Sequence, residues 1–201
     1  MKSLWIIGAG GQGLVAADIA EKTGYDSVAF LDDKEDLTER CGYSVRRIPS
    51  DFREAEGDFF VAIGDPAIRR HISERLEAAG RNLVTLIHPS AVIGKNVSIG
   101  AGTFIAAGAV INPCTVIGKG CIINTCSSVD HGCRVGEFSH ISVGAHVCGK
   151  VSIGNDVWVG AGATVINNLS IASGVFLGAG AVAVRSITEP GTYIGVPAKL
   201  K

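Results

Sequence analysis

The sequence predicts a mainly β protein: a parallel β-helix of hexapeptide repeats preceded by a small Rossmann-like α/β domain. Three observations carry this. An aliphatic residue recurs every six positions over about half of the chain, glycine is abundant at 27 of 201 residues, and a glycine-rich turn follows a short apolar strand near the N-terminus. The reading assigns residues 1–83 to the front domain and 84–201 to the β-helix with its C-terminal tail.

The front domain opens with Leu4-Trp5-Ile6-Ile7, a short buried strand, followed by Gly8-Ala9-Gly10-Gly11-Gln12-Gly13 and a helical pattern from Leu14 to Lys22. A second strand, Val28 to Leu31, runs into Asp32-Asp33, and a third, Phe59 to Ile63, ends at Gly64-Asp65. Pro66 to Ala79 reads as a helix, with proline in its first turn and Gly80 just past its end. A glycine motif after a strand and before a helix lets the backbone approach a phosphate at a helix N-terminus. The acidic pair Asp32-Asp33, about twenty residues on, suits a ribose or base contact. The bland alternative is a tight strand-to-helix turn without a ligand. Too few strands are apparent for a full dinucleotide site, so a nucleotide-sugar fits better.

The repeat begins at Ile87 and passes through Ile93, Ile99, Ile105, Ile111, Ile117, Ile123, Val129, Val135, Ile141, Val147, Ile153, Val159, Val165, Ile171 and Leu177 to Ala183. Four residues after each stands a small or aliphatic residue, from Ala91 to Ile187, and glycine often follows the aliphatic one. A period of six is neither helical nor simple strand alternation. It fits a very short strand plus a turn, three of which close a triangular coil, with one aliphatic residue pointing inward per repeat. The repeats make between five and six coils, about 25–30 Å tall at roughly 4.8 Å per coil.

Composition narrows the function. Hydrophobic content of 47% supplies a core, and a net charge of −1 without a basic block argues against nucleic acid. No run approaches a membrane span, the apolar N-terminal stretch is far shorter than a signal peptide, and six cysteines lack CxxC spacing. A cytoplasmic protein without a metal site is expected.

Three histidines stand in the middle coils: His131, His140 and His146. His131 falls at a corner, off the inward ladder, which weakens the reading of a core histidine. His140 lies half a coil away, so one chain does not readily bring the two together. A threefold assembly does, and predicts a homotrimer with active sites at the subunit interfaces. The cysteines suggest a rival covalent acyl-enzyme. Cys121 and Cys133 fall on inward positions, however, where inert buried thiols are expected.

The ordered set Gly-Ala-Gly-Gly-x-Gly, Phe30-Leu31-Asp32-Asp33, Ala62-Ile63-Gly64, Asp130-His131, Gly136-Glu137-Phe138-Ser139-His140 and Gly195-Val196-Pro197-Ala198-Lys199 resembles the sialic-acid O-acetyltransferase and nucleotide-sugar N-acetyltransferase family of hexapeptide-repeat acyltransferases. It is most like the branch acting on UDP-4-amino sugars in bacillosamine synthesis. The resemblance runs from Ile7 to Lys199 and implies a left-handed coil, an exception to the usual right-handed crossover. It implies acetyl-CoA as co-substrate, His131 as general base, and His140 contacting acetyl-CoA from the neighbouring subunit. The backbone at Gly149 would lie near the thioester, with Ala161 and Ala179 lining the coenzyme groove. Gly10, Gly11, Gln12, Asp32, Asp33 and Gly64 would hold the nucleotide. Two positions depart from the pattern: Gly132 stands where a glutamate follows the catalytic histidine, and Gln12 where the front turn carries a histidine. Asp130 is the candidate to orient His131 in place of that glutamate. The implied reaction is direct transfer of acetyl to a sugar 4-amino group. Sugar O-acetylation and a non-enzymatic trimeric scaffold or nucleotide-sugar sensor are the competing readings.

Overall fold

The computed structural model describes residues 2–49, 52 and 56–201. The chain divides into two compact units, Met1–Pro89 and Ser90–Lys201.

The first unit alternates strands and helices: β1 (Ser3–Ile7), α1 (Gly11–Lys22), β2 (Ser27–Asp32), β3 (Glu39–Arg40), β4 (Tyr43–Arg47), β5 (Asp58–Val61), α2 (Pro66–Ala78) and β6 (Asn82–Leu83). They form one sheet in the order β3-β4-β2-β1-β5-β6. β1 pairs parallel with β2 and β5, β2 parallel with β4, and β5 parallel with β6, while β3 and β4 form an antiparallel hairpin at the edge. Ile7, Leu31, Phe52, Phe59, Val61, Ile72 and Leu76 make the core. The sequence reading misses β3, β4 and β6. In β4, Tyr-Ser-Val-Arg-Arg buries only Val45, so the apolar alternation that reveals a strand is absent. α1 also starts three residues earlier than its apolar pattern, inside the glycine motif, because Gly10 serves as its N-cap and Gly11 already adopts helical geometry.

The second unit is a β-solenoid with three faces. One carries Val92–Ile93, Val110–Ile111, Ser128–Val129, His146–Val147, Thr164–Val165 and Val182–Ala183. A second carries Ser98–Ile99, Val116–Ile117, Arg134–Val135, Ser152–Ile153 and Ser170–Ile171. The third includes Phe104–Ile105, Ile122–Ile123, His140–Ile141, Trp158–Val159 and Val175–Leu177, then Gly191–Ile194, with Lys199–Leu200 antiparallel at its end. Each strand pairs in parallel with the one eighteen residues on, as Ile105 with Ile123 and Ile123 with Ile141.

The aliphatic ladder from Ile105 to Leu177 is inward and buried at every step, none of its members exceeding 3% exposure. Ile93 differs at 38% exposure, since it lies on the first strand of its face and has no solenoid strand stacked above it. The second ladder is equally buried although it contains polar residues. Thr103, Thr115 and Ser139 donate their hydroxyls to the carbonyls of Gly118, Asp130 and Gly154, fifteen residues on. Satisfied in this way, a buried hydroxyl carries little penalty.

The glycine after the inward aliphatic residue has a steric cause. A Cβ on Gly136 would sit 2.4 Å from the carbonyl carbon of Gly154 in the next coil. Gly136→Ala must therefore push two coils apart, and a stability loss of about 1–3 kcal/mol is expected on the scale of overpacked cores. Thermal unfolding measures it, and an unchanged midpoint would contradict this packing.

Candidate active site

His131 stands at the corner that follows strand Ser128–Val129, exposed to solvent. One coil on at the same corner is Gly149, which is buried. A Cβ built on Gly149 would lie 2.7 Å from Nε2 of His131, so the imidazole rests directly on this glycine. At the equivalent turn position, the N–H groups of Thr125, His131, Glu137 and Asn155 are capped by a side-chain oxygen, while those of Val143, Ala161 and Ala179, like that of Gly149, are not. Among the described residues no acceptor faces the Gly149 N–H. A base and an open backbone donor thus share one spot. They line a cleft with Asp130, Cys148, Lys150, Asn167 and Asn168.

Asp130 does not hydrogen-bond the imidazole. Its Oδ1 accepts from the N–H of His131 at 2.7 Å and from Nδ2 of Asn112 at 2.8 Å. Those two donors hold its carboxyl below the usual carboxylate range. Asp130 therefore fixes the backbone on which His131 is mounted. Asn112, on the preceding coil, is the partner that the sequence reading missed.

His140 lies on the third face, not at the His131 corner. It is 9% exposed, receives a hydrogen bond at Nε2 from Asn124 at 3.1 Å, and sits 4.9 Å from the Trp158 ring. Trp158 in turn donates to Ser142 at 2.7 Å and packs against Phe176. Ala161 and Ala179 are exposed one coil apart, at the corner following this aromatic column. The glycines beside them, Gly162 and Gly180, have φ of 65° and 66° and nothing within 4 Å of where a Cβ would be. The structure so brings His131 to Gly149 and Ala161 to Ala179, on two different corners of one chain. His146 lies on the first face, tied to Ser128 at 2.9 Å.

In the first unit, Gly10 caps α1 without a side chain, leaving the first-turn N–H groups of α1 open. No atom lies within 4 Å of the Cβ positions of Gly10 and Gly11, whereas a Cβ on Gly13 would meet the Gly8 carbonyl at 2.1 Å. Gly10 and Gly11 are thus open to a ligand, and Gly13 is needed for packing. Nε2 of Gln12 is buried without a hydrogen-bond partner among the described residues. Asp32 accepts from the N–H of Ala9 at 2.8 Å and of Lys34 at 3.1 Å. Burial raises its pKa, but these donors outweigh burial and the net shift is downward. Asp33 is exposed, and the Gly64 carbonyl takes a hydrogen bond from the buried Arg69 at 2.7 Å.

Cys121 and Cys133 are fully buried, and their thiols face the carbonyls of Gly136 and Cys148 at 3.1 Å. Burial pushes the Cys133 thiol upward in pKa. A thiol in that state is a poor nucleophile, which disfavours the covalent acyl-enzyme route at Cys133, and full burial withholds Cys121 from a substrate. Among the described residues no cluster of three His, Cys, Asp or Glu could hold a metal.

Residues 3–76 match the family model described as PglD N-terminal domain, and residues 84–113 match that of bacterial transferase hexapeptide repeats. The acetyltransferase domain of PglB from Neisseria gonorrhoeae is 37% identical with a TM-score of 0.94, covering all of both chains; that domain has also been solved with acetyl coenzyme A. Perosamine N-acetyltransferase from Caulobacter crescentus, solved with CoA and GDP-perosamine and with one histidine replaced by asparagine, is 35% identical with a TM-score of 0.94, over 100% of this chain and 97% of that one. UDP-N-acetylbacillosamine N-acetyltransferase of Bacillus subtilis is 34% identical over 118 residues, a match spanning 53% of this chain and about half, 52%, of that protein's length. The fold is thus the left-handed parallel β-helix of hexapeptide acetyltransferases, with an α/β unit in front. The chain belongs to the PglB/PglD family of acetyltransferases.

Proposed function

We propose that this protein transfers the acetyl group of acetyl-CoA to the 4-amino group of a nucleotide-linked amino-deoxysugar, UDP-linked in the first instance, for bacterial surface glycan or glycoprotein synthesis. The observation that carries the reading is the imidazole of His131 lying over Gly149, whose N–H meets no acceptor among the described residues. Relatives that act on bacillosamine and perosamine nucleotides support it.

A sugar amine is mostly protonated at neutral pH and attacks a thioester only once deprotonated. His131 accepts that proton. The free amine adds to the thioester carbonyl, and the Gly149 N–H donates to the oxyanion that forms. The intermediate's nitrogen loses its remaining extra proton to solvent, the C–S bond breaks, and coenzyme A leaves as the thiolate, which takes the proton held by His131. Asp130, held by Asn112, keeps the His131 corner in place. Open first-turn N–H groups of α1, together with Gly10, Gly11, Gln12, Asp32, Asp33 and Gly64, hold the nucleotide.

We place the working enzyme in the cytoplasm as a homotrimer. His131 and the His140–Ala161–Ala179 surface lie on different corners of one chain, so a second subunit would complete each site with acetyl-CoA lodged between. The six free cysteines agree with a reducing compartment. No described helix is long and apolar enough to cross a membrane.

Thiol release from acetyl-CoA, followed with UDP- and GDP-linked 4-amino sugars beside their 4-hydroxy counterparts, tests the reading. Release that requires the amine supports it. Release with the hydroxyl acceptors alone would transfer the case to O-acetylation.

A further inference from the structure

The corner that carries His131 includes one residue that neither the proton transfer nor the oxyanion contact uses. Stacked at eighteen-residue spacing are Asn96, Cys114, Gly132, Lys150 and Asn168, all with positive φ. The conformation belongs to the turn itself: Cys126, Phe138 and Asp156 share it at other corners, and each donates its N–H to a carbonyl nineteen residues back, as Lys150 does. Phe138 has a similar φ of 55° at another corner and is buried, its ring filling the space that a Cβ on Gly120 would need. Lys150, with φ of 59°, is placed by the same turn but buries no side chain in this way. It is exposed and forms no ion pair with any described residue.

The course of its side chain is informative. Cγ of Lys150 lies 3.6 Å from where a Cβ on Gly132 would be, so the stem runs back along the corner toward the coil of His131, through space that the absent side chain leaves open. Its own N–H donates to the His131 carbonyl at 2.9 Å. The rest of the cleft does not pair with it: Asp130, its Oδ1 engaged by Asn112 and a backbone N–H, forms no ion pair with Lys150, and Asn167 and Asn168 are neutral. An ammonium has three donors and no acceptor. An ammonium without an ion pair to any described residue, in the same cleft as the His131 imidazole, points to a role with an anionic ligand.

We infer that Lys150 is a specificity-determining residue, whose ammonium pairs with an oxyanion of the acceptor (a phosphate or a carboxylate) beside the amine presented to His131. The inference rests on the acetyltransfer reading above. It also assigns Gly132 a purpose, namely to leave room for the lysine stem.

Titration calorimetry of the full-length protein with UDP- and GDP-linked 4-amino sugars, with the bare nucleotide diphosphates and with a carboxylate-bearing amino sugar tests it in wild type, K150Q and K150R. In K150Q the anionic acceptors should bind about 10- to 100-fold more weakly, the scale of one charge-assisted hydrogen bond. K150R should restore most of the loss, while acetyl-CoA affinity stays unchanged. Weakening seen with the bare diphosphates identifies phosphate as the partner; weakening confined to the carboxylate-bearing sugar identifies carboxylate. Equal affinities of wild type and K150Q for every anionic acceptor, or a loss confined to acetyl-CoA, would overturn the inference. If the binding loss appears while the wild type releases no thiol, the Lys150 contact survives and the acetyltransfer reading falls.

Discussion

Replacing His131 with alanine lowers kcat by about 10²–10⁴-fold, the usual contribution of a positioned general base. The fold should not suffer. The imidazole is exposed and hydrogen-bonded to no described side chain, so the thermal midpoint of His131→Ala should match the wild type. Thiol release under saturating acetyl-CoA and amino-sugar acceptor measures the first quantity, and calorimetry or circular dichroism the second. Near-normal turnover in the variant would mean that another group takes the proton, or that the amine binds already deprotonated.

Gly149→Ala should be nearly as damaging while changing less chemistry. The added methyl would lie 2.7 Å from Nε2 and 2.9 Å from Cε1 of His131, so the ring must move aside. A displacement of about 1 Å from reacting geometry can cost on the order of 10²-fold. The backbone at Gly149 does not have positive φ, so alanine brings no conformational strain, and its N–H remains. The loss therefore isolates the placement of His131. A double variant decides the matter. If both changes act through the same imidazole, His131→Ala/Gly149→Ala should be no slower than His131→Ala alone, since effects within one contact are not additive. Fully multiplicative losses would show that Gly149 acts through some other contact.

The extent to which the sequence revealed this site follows from its geometry. The inward ladder from Ile105 to Leu177 was readable because its one-in-six period corresponds to a single physical position, the interior. His131 was readable because it falls out of that ladder, and the buried state of Cys121 and Cys133 because both fall within it. Asn112 and Lys150 were not singled out, although each lies eighteen residues from a residue that was, Asp130 and Gly132 respectively. Their contacts run up and down the stack, and a linear reading of neighbours passes over them. The strand Tyr43–Arg47 was hidden for another reason: with four of its five residues unburied, its composition reports solvent and not the sheet.

The placement of His131 and Gly149 on successive coils has a consequence for how such an enzyme can change. The spacing of the two backbone positions that carry the base and the oxyanion donor equals the pitch of the stack, about 4.8 Å as for any neighbouring strands, and no loop length enters into it. Eighteen residues gained or lost beyond this pair would lengthen or shorten the column of corners above or below it and leave the spacing as it was. The same insertion between positions 131 and 149 would double the spacing and silence the enzyme with its fold intact. The solenoid is in this sense a ruler whose graduations are fixed by hydrogen bonds, free to vary in length everywhere except across the one division where the reaction takes place.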